Sequence, residues 1–162
     1  MLFRSSTSVR FDEKKTAVLK PAPLYAAYAQ QQADGSLKAL MAFDRKGEIA
    51  QRDKELLQSA GEVAKVCGSQ PAVRVDWASF SDDDIKDLSI SSYCGEPLET
   101  LRRMCDGSNE AKKTFAARIK TFSCAMGKSM QLELAGTTLG WTTARNATNI
   151  GAFTRAYLEK NL

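Results

Sequence analysis

Histidine does not occur anywhere in the 162 residues, and this absence excludes more chemistry than any residue present supports. Catalytic triads built on an imidazole base and zinc sites with imidazole ligands are both ruled out. Any proton-transfer role would fall to Asp, Glu, Lys, Tyr or Cys. The chain also lacks an apolar run long enough to cross a bilayer, so no membrane insertion is expected. Met1-Leu2-Phe3-Arg4 opens no secretory signal, because no hydrophobic core segment follows it. The chain is therefore expected in the cytoplasm if Met1 is the native start, and in the periplasm or outside the cell if a leader has been removed.

Catalytic signatures are equally scarce. No CxxC pair supports a zinc ribbon or a thioredoxin-type centre, and no GxSxG or SxxK pattern presents a serine nucleophile. Gly127-Lys128-Ser129 resembles the end of a phosphate-binding loop, but Phe122 stands where that motif needs glycine. The residues that follow alternate like a strand, where the motif must open a helix. The three carboxylates of Asp82-Asp83-Asp84 are consecutive. On a helix they point about 100° apart, so they suit the positive end of a helix dipole better than one cation. No catalytic residue, metal or cofactor is assigned. There is no internal repeat or low-complexity tract.

What is present is an ordinary globular composition, 43% hydrophobic and 26% charged, with a mild net charge of +4. Residues 1–22 read as an irregular opening, in which SVRF or TAVL could make a short edge strand. Helices are expected over 24–32 and 36–43, though Asp44-Arg45-Lys46-Gly47 after the second would also suit a turn. Over 48–67, Ile49, Leu56, Ala60, Val63 and Cys67 recur at helical spacing, with Gly68 placed to end the helix. Gly61 inside it marks either close packing or a tolerated cost. Val73, Val75 and Trp77 alternate with polar residues as a half-buried strand. Ser81 and Asp84 then form a capping box, flanked by Phe80 and Ile85 as a hydrophobic staple.

The stretch Tyr93–Met126 organises the rest. Pro97 suits a first helical turn, and Leu98, Leu101 and Cys105 make one buried stripe. Asp106-Gly107 stops that helix, Ser108 or Asn109 caps the next, and Ala111, Phe115 and Ile119 make the second stripe. From Thr121 the period becomes two, with Phe122, Cys124 and Met126 on one face. Met130, Leu132 and Leu134, then Leu139, Trp141 and Thr143, continue the alternation after turns at Gly127 and Gly136. Ile150, Phe153 and Tyr157 on a last helix offer a cover. These signals predict one α+β domain over 1–162. Its antiparallel sheet consists of strand 72–77 and a three-stranded meander over 120–144, covered by helices on one face.

Charge separates around this stretch: residues 82–99 hold six acidic groups and one basic, residues 100–128 seven basic and two acidic. Arg102, Arg103, Lys112, Lys113, Arg118 and Lys120 are the candidate binding residues. The leading expectation is a non-catalytic binding or accessory module that engages another protein through residues 98–120. The alternatives are an enzyme using carboxylate or cysteine chemistry and, more weakly, a nucleic-acid binder using the basic helical face. The four cysteines permit two disulfides. The 97–105 helix separates Cys94 from Cys105 by about 12 Å, against a limit of roughly 7 Å between bridged Cα atoms. That leaves two connectivities. A strand doubling back along the second helix would bring Cys124 to Cys105 and leave Cys67 for Cys94.

Overall fold

The computed structural model describes residues 42–162, and within them Asp44–Leu162 forms one compact unit. The strands and helices expected before Ala42 lie outside the described residues. Six helices and one four-stranded sheet follow in the order α1 (Arg45–Cys67), β1 (Ala72–Val75), α2 (Asp82–Asp87), α3 (Ile90–Tyr93), α4 (Glu96–Cys105), α5 (Asn109–Arg118), β2 (Thr121–Met126), β3 (Gln131–Ala135), β4 (Thr138–Thr143) and α6 (Ile150–Asn161).

Helix starts follow their local chemistry. Asp44 caps α1 by accepting from the Gly47 amide at 3.1 Å, so Arg45-Lys46-Gly47 enters the helix and is not a turn. Gly68 ends α1 in the left-handed region, where a Cβ would be strained. Ser81 and Asp84 form the reciprocal capping box of α2, with Phe80 and Ile85 both buried beside it. Ser108 caps α5 through the Ala111 amide. A Cβ at Gly61 would meet nothing within 4 Å, so that glycine serves no close packing.

The expected meander is not what forms. The sheet order is β1-β2-β4-β3; β2 runs parallel to both β1 and β4, and only β3–β4 is an antiparallel hairpin. The sheet is mixed because β4 inserts between β2 and β3. Residues 127–130 must therefore cross a distance of two strand spacings, about 10 Å, which four extended residues can cover. Gly127 begins this crossing. Its amide still bonds the Thr143 carbonyl at 2.7 Å, and a Cβ there would lie 2.5 Å from the Thr142 methyl. Alternation alone reads identically for either neighbour order, which is why the period did not reveal it.

The first strand also ends sooner than expected. β1 stops at Val75, and Trp77–Ser79 form a 3-10 turn that leaves Trp77 half-exposed, against the expectation of a buried strand residue. The turn is held to β2 by Ser79, whose hydroxyl accepts from the Met126 amide at 2.8 Å.

The core lies on one face of the sheet. Phe122, Cys124, Leu139 and Trp141 are buried there under Leu56, Ala60, Leu98, Leu101 and Leu158 of the helices. The opposite face carries Ser123, Gly140 and Thr142, half-exposed, and Arg74 and Glu133, exposed. Helix α6 is rotated from its expected phase: Thr154 and Leu158 are buried, while Phe153 stays at the surface and meets Trp141 in a tilted ring contact. Among the described residues, no helix is long and apolar enough to cross a membrane.

Candidate functional site

The surface singled out by charge is the pair of helices α4 and α5, joined at Asp106-Gly107-Ser108. Helix α4 buries Leu98, Leu101 and Cys105 and packs against α1 and α6, which fixes its outward face. Helix α5 buries Phe115 alone within its span, and Ile119 follows it into the core. Between α4, α5 and the end of α6 lies a cleft of about 240 Å³. Leu101, Met104, Ala111, Phe115 and Leu158 make its apolar lining, with Glu110 and Glu159 at the mouth. This volume falls below the roughly 300–1,000 Å³ of small-molecule sites, and is closer to what one protruding apolar side chain needs.

Most of the candidate cations are already engaged. Arg102 hydrogen-bonds both carboxylate oxygens of Glu99, and Arg103 reaches Glu96 at 2.9 Å and Glu99 at 3.2 Å. The Arg102 hydrogen bond is the main reason the Glu99 carboxyl sits below its ordinary value. Partial burial opposes this shift, and the positive charges of Arg102 and Arg103 add to it. Arg118 donates to the Asn161 and Leu162 carbonyls at the end of α6, and Lys120 donates to the Ala116 carbonyl at 2.6 Å. Both cations thereby satisfy helix C-termini. Lys112 and Lys113 make no ion pair with another described residue.

The triple-aspartate run is divided among three separate contacts. Asp82 pairs with Arg45 at 2.6 Å and Asp83 with Lys86 at 3.6 Å, while Asp84 accepts the Ser81 amide at 2.8 Å. Arg145 Nη1 also lies 3.1 Å from Asp84 Oδ1, as an ion pair without hydrogen-bond alignment. Gly127-Lys128-Ser129 leads into β3 and opens no helix.

All four cysteines are oxidised, but the pairing is the other of the two connectivities. Cys67 bonds Cys105, with Cα atoms 5.2 Å apart, and Cys94 bonds Cys124 at 5.8 Å. The expected Cys105–Cys124 and Cys67–Cys94 bonds are therefore wrong. The reason is packing: α1 and α4 lie side by side with their C-terminal ends together, and the Cys67 sulfur approaches the Leu101 carbonyl. β2 does not double back beside the Cys105 turn; it runs centrally in the sheet, with Cys124 facing Cys94, two residues before α4. No cysteine keeps a thiol, so a cysteine nucleophile is not present in this oxidised form. Two disulfides fit an extracellular or periplasmic location.

Several residues outside the charged stretch were missed. Leu57 is 55% exposed on α1, and it borders a groove of about 400 Å³ beside β1 with Asp53, Val73, Val75 and Trp77. Its only sequence signal was a leucine one step off the buried stripe of Leu56 and Ala60. Arg45 ties the start of α1 to the Trp77 and Phe80 carbonyls at 2.7 and 3.0 Å, a contact no local pattern announces. Comparison with family models, with curated proteins and with solved structures finds no match for this chain.

Proposed function

We propose that this chain is a non-catalytic protein-binding module working in an oxidising compartment, and that it engages its partner through the α4–α5 surface. The observation that carries this reading is the apolar cleft between α4, α5 and α6, with Lys112 and Lys113, which have no ion pair among the described residues, on the helix that forms one wall. A small apolar socket suits an anchor side chain from a protein partner, with the partner's acidic groups meeting Lys112 and Lys113 and kept away from Glu110 and Glu159 in the socket lining. The two disulfides staple α4 to α1 at one end and its approach to β2 at the other, so the surface would be presented rigidly.

Arg102 and Arg103 pair with Glu99 and Glu96 of their own helix, and Arg118 and Lys120 donate to carbonyls at helix ends, so Lys112 and Lys113 are the cations whose replacement disturbs the fold least. The test uses the Lys112→Glu/Lys113→Glu double variant and, separately, Ala111→Arg to block the cleft. Partners captured by the wild type from native extract are identified and purified, and binary affinities are measured. Both variants should lose about tenfold or more in affinity while unfolding at the same temperature as the wild type. Equal binding by both variants would refute this surface.

A further inference from the structure

The two edges of the sheet are treated differently, and this asymmetry points to a second docking site. At the β3 edge the outward amide of Leu134 donates to the Tyr157 hydroxyl at 2.9 Å, so a side chain from α6 occupies the position an added strand would need. This is edge protection. At the β1 edge no such cover is found among the described residues. Ala72 and Asp76 donate inward to the Lys120 and Cys124 carbonyls of β2. Alternate residues of a strand point their amides the same way, so those of Val73 and Val75 face outward. Beside them is the groove lined by Asp53, Leu57, Val73, Arg74, Val75 and Trp77, which reaches Arg74 at the strand edge, and the Trp77 indole is held in place by its hydrogen bond to Asp53 at 3.0 Å. β1 contains no proline or bulge that would blunt it.

We propose that this edge accepts an extended segment of another protein as a fifth strand, with apolar side chains alternating with an acidic one. Side chains level with Val73 and Val75 enter the groove against Leu57 and Trp77. The Asp53 carboxylate on that side disfavours an acid there. The side chain between them emerges on the opposite face beside Arg74, which is exposed and has no ion pair among the described residues. A cross-strand carboxylate satisfies it. Backbone bonds to Val73 and Val75 supply affinity, and the two-sided pattern supplies selectivity. A second copy is a poor occupant. Its β3 edge is blocked by Tyr157, and a two-fold β1–β1 pairing centred on the strand would set Arg74 against Arg74. This site shares no residue with the α4–α5 surface and does not depend on it.

The test uses the full oxidised chain and three blocked synthetic pentapeptides: valine alternating with aspartate, valine alternating with lysine, and the aspartate peptide N-methylated at alternate amides. Amide hydrogen exchange is followed at Val73 and Val75. The aspartate peptide should slow both amides about tenfold or more, the other two should not, and Arg74→Glu should reverse the preference toward the lysine peptide. Val75→Pro removes an outward donor without breaking the β1–β2 ladder and should abolish the effect, whereas Lys112→Glu/Lys113→Glu should leave it intact. Protection already complete without peptide, protection that rises with protein concentration alone, no protection at millimolar peptide, or equal response to the aspartate and lysine peptides would each overturn the proposal.

Discussion

Replacing Cys94 and Cys124 by alanine removes the bond that ties the approach to α4 onto the central strand, and the cost follows from the length of chain it closes. The bond spans a sequence separation of 30, and Cys67–Cys105 a separation of 38. In the chain-entropy model these correspond to about 3.6 and about 3.9 kcal/mol of stability. The loops interlock over residues 94–105, so removing both should cost no more than the sum. That sum is comparable with the whole stability of a typical domain, about 5–15 kcal/mol. Alanine is the right replacement because all four sulfurs are buried, and serine would add the penalty of a buried hydroxyl. Urea unfolding of each double variant, read by linear extrapolation, should show a loss of about 2–4 kcal/mol per bond. Non-reducing peptide mapping should return Cys67–Cys105 and Cys94–Cys124. A loss below about 1 kcal/mol for the Cys67–Cys105 pair, or a Cys105–Cys124 peptide, would refute the packing of α1 against α4 described above, and a loss that small for Cys94–Cys124 would refute the tie between the approach to α4 and β2.

Two further outcomes test the core and the surface pairs. Trp141→Ala should cost about 3–5 kcal/mol, because Trp141 is buried on an inner strand and its indole donates to the Tyr93 carbonyl at 2.7 Å; denaturant unfolding measures it. Because the folded Glu99 carboxyl sits below its ordinary value, its contribution to stability should be full above the unfolded value of about 4.3 and fade as pH falls through the folded one. The difference in melting temperature between wild type and Glu99→Gln should be constant near neutrality and vanish in acid, and a difference that grows on acidification would show the sign to be wrong.

Much of the helical structure was written within a few residues of itself. Ser81, Asp84, Phe80 and Ile85 specify the start of α2 by contacts spanning five residues, and Ser108 and Gly68 mark a start and a stop just as locally. The buried stripe of Leu98, Leu101 and Cys105, and the alternation of Phe122 with Cys124, likewise chose the inward faces before any partner was known. The charged stretch was also legible, but not its division between structure and surface. Whether Arg118 is free depends on where the end of α6 comes to rest, whereas Lys120 meets the Ala116 carbonyl only four residues back.

Everything that depended on pairing across distance was decided by the tertiary structure. A strand's period of two states which side chains share a face and nothing about which strand lies beside it, so the insertion of β4 between β2 and β3 left no trace in the alternation. The cysteine pairing failed for the same reason: the rise of one helix excluded one bond, but the choice between the remaining two connectivities required the relative placement of α1, α4 and β2. The guarded β3 edge, and a β1 edge with no cover among the described residues, are properties of the assembled sheet, since only there do Tyr157 and Leu134 meet. Local free-energy minima select elements; the burial of their faces against one another selects the arrangement, and that sum runs over contacts no short window contains.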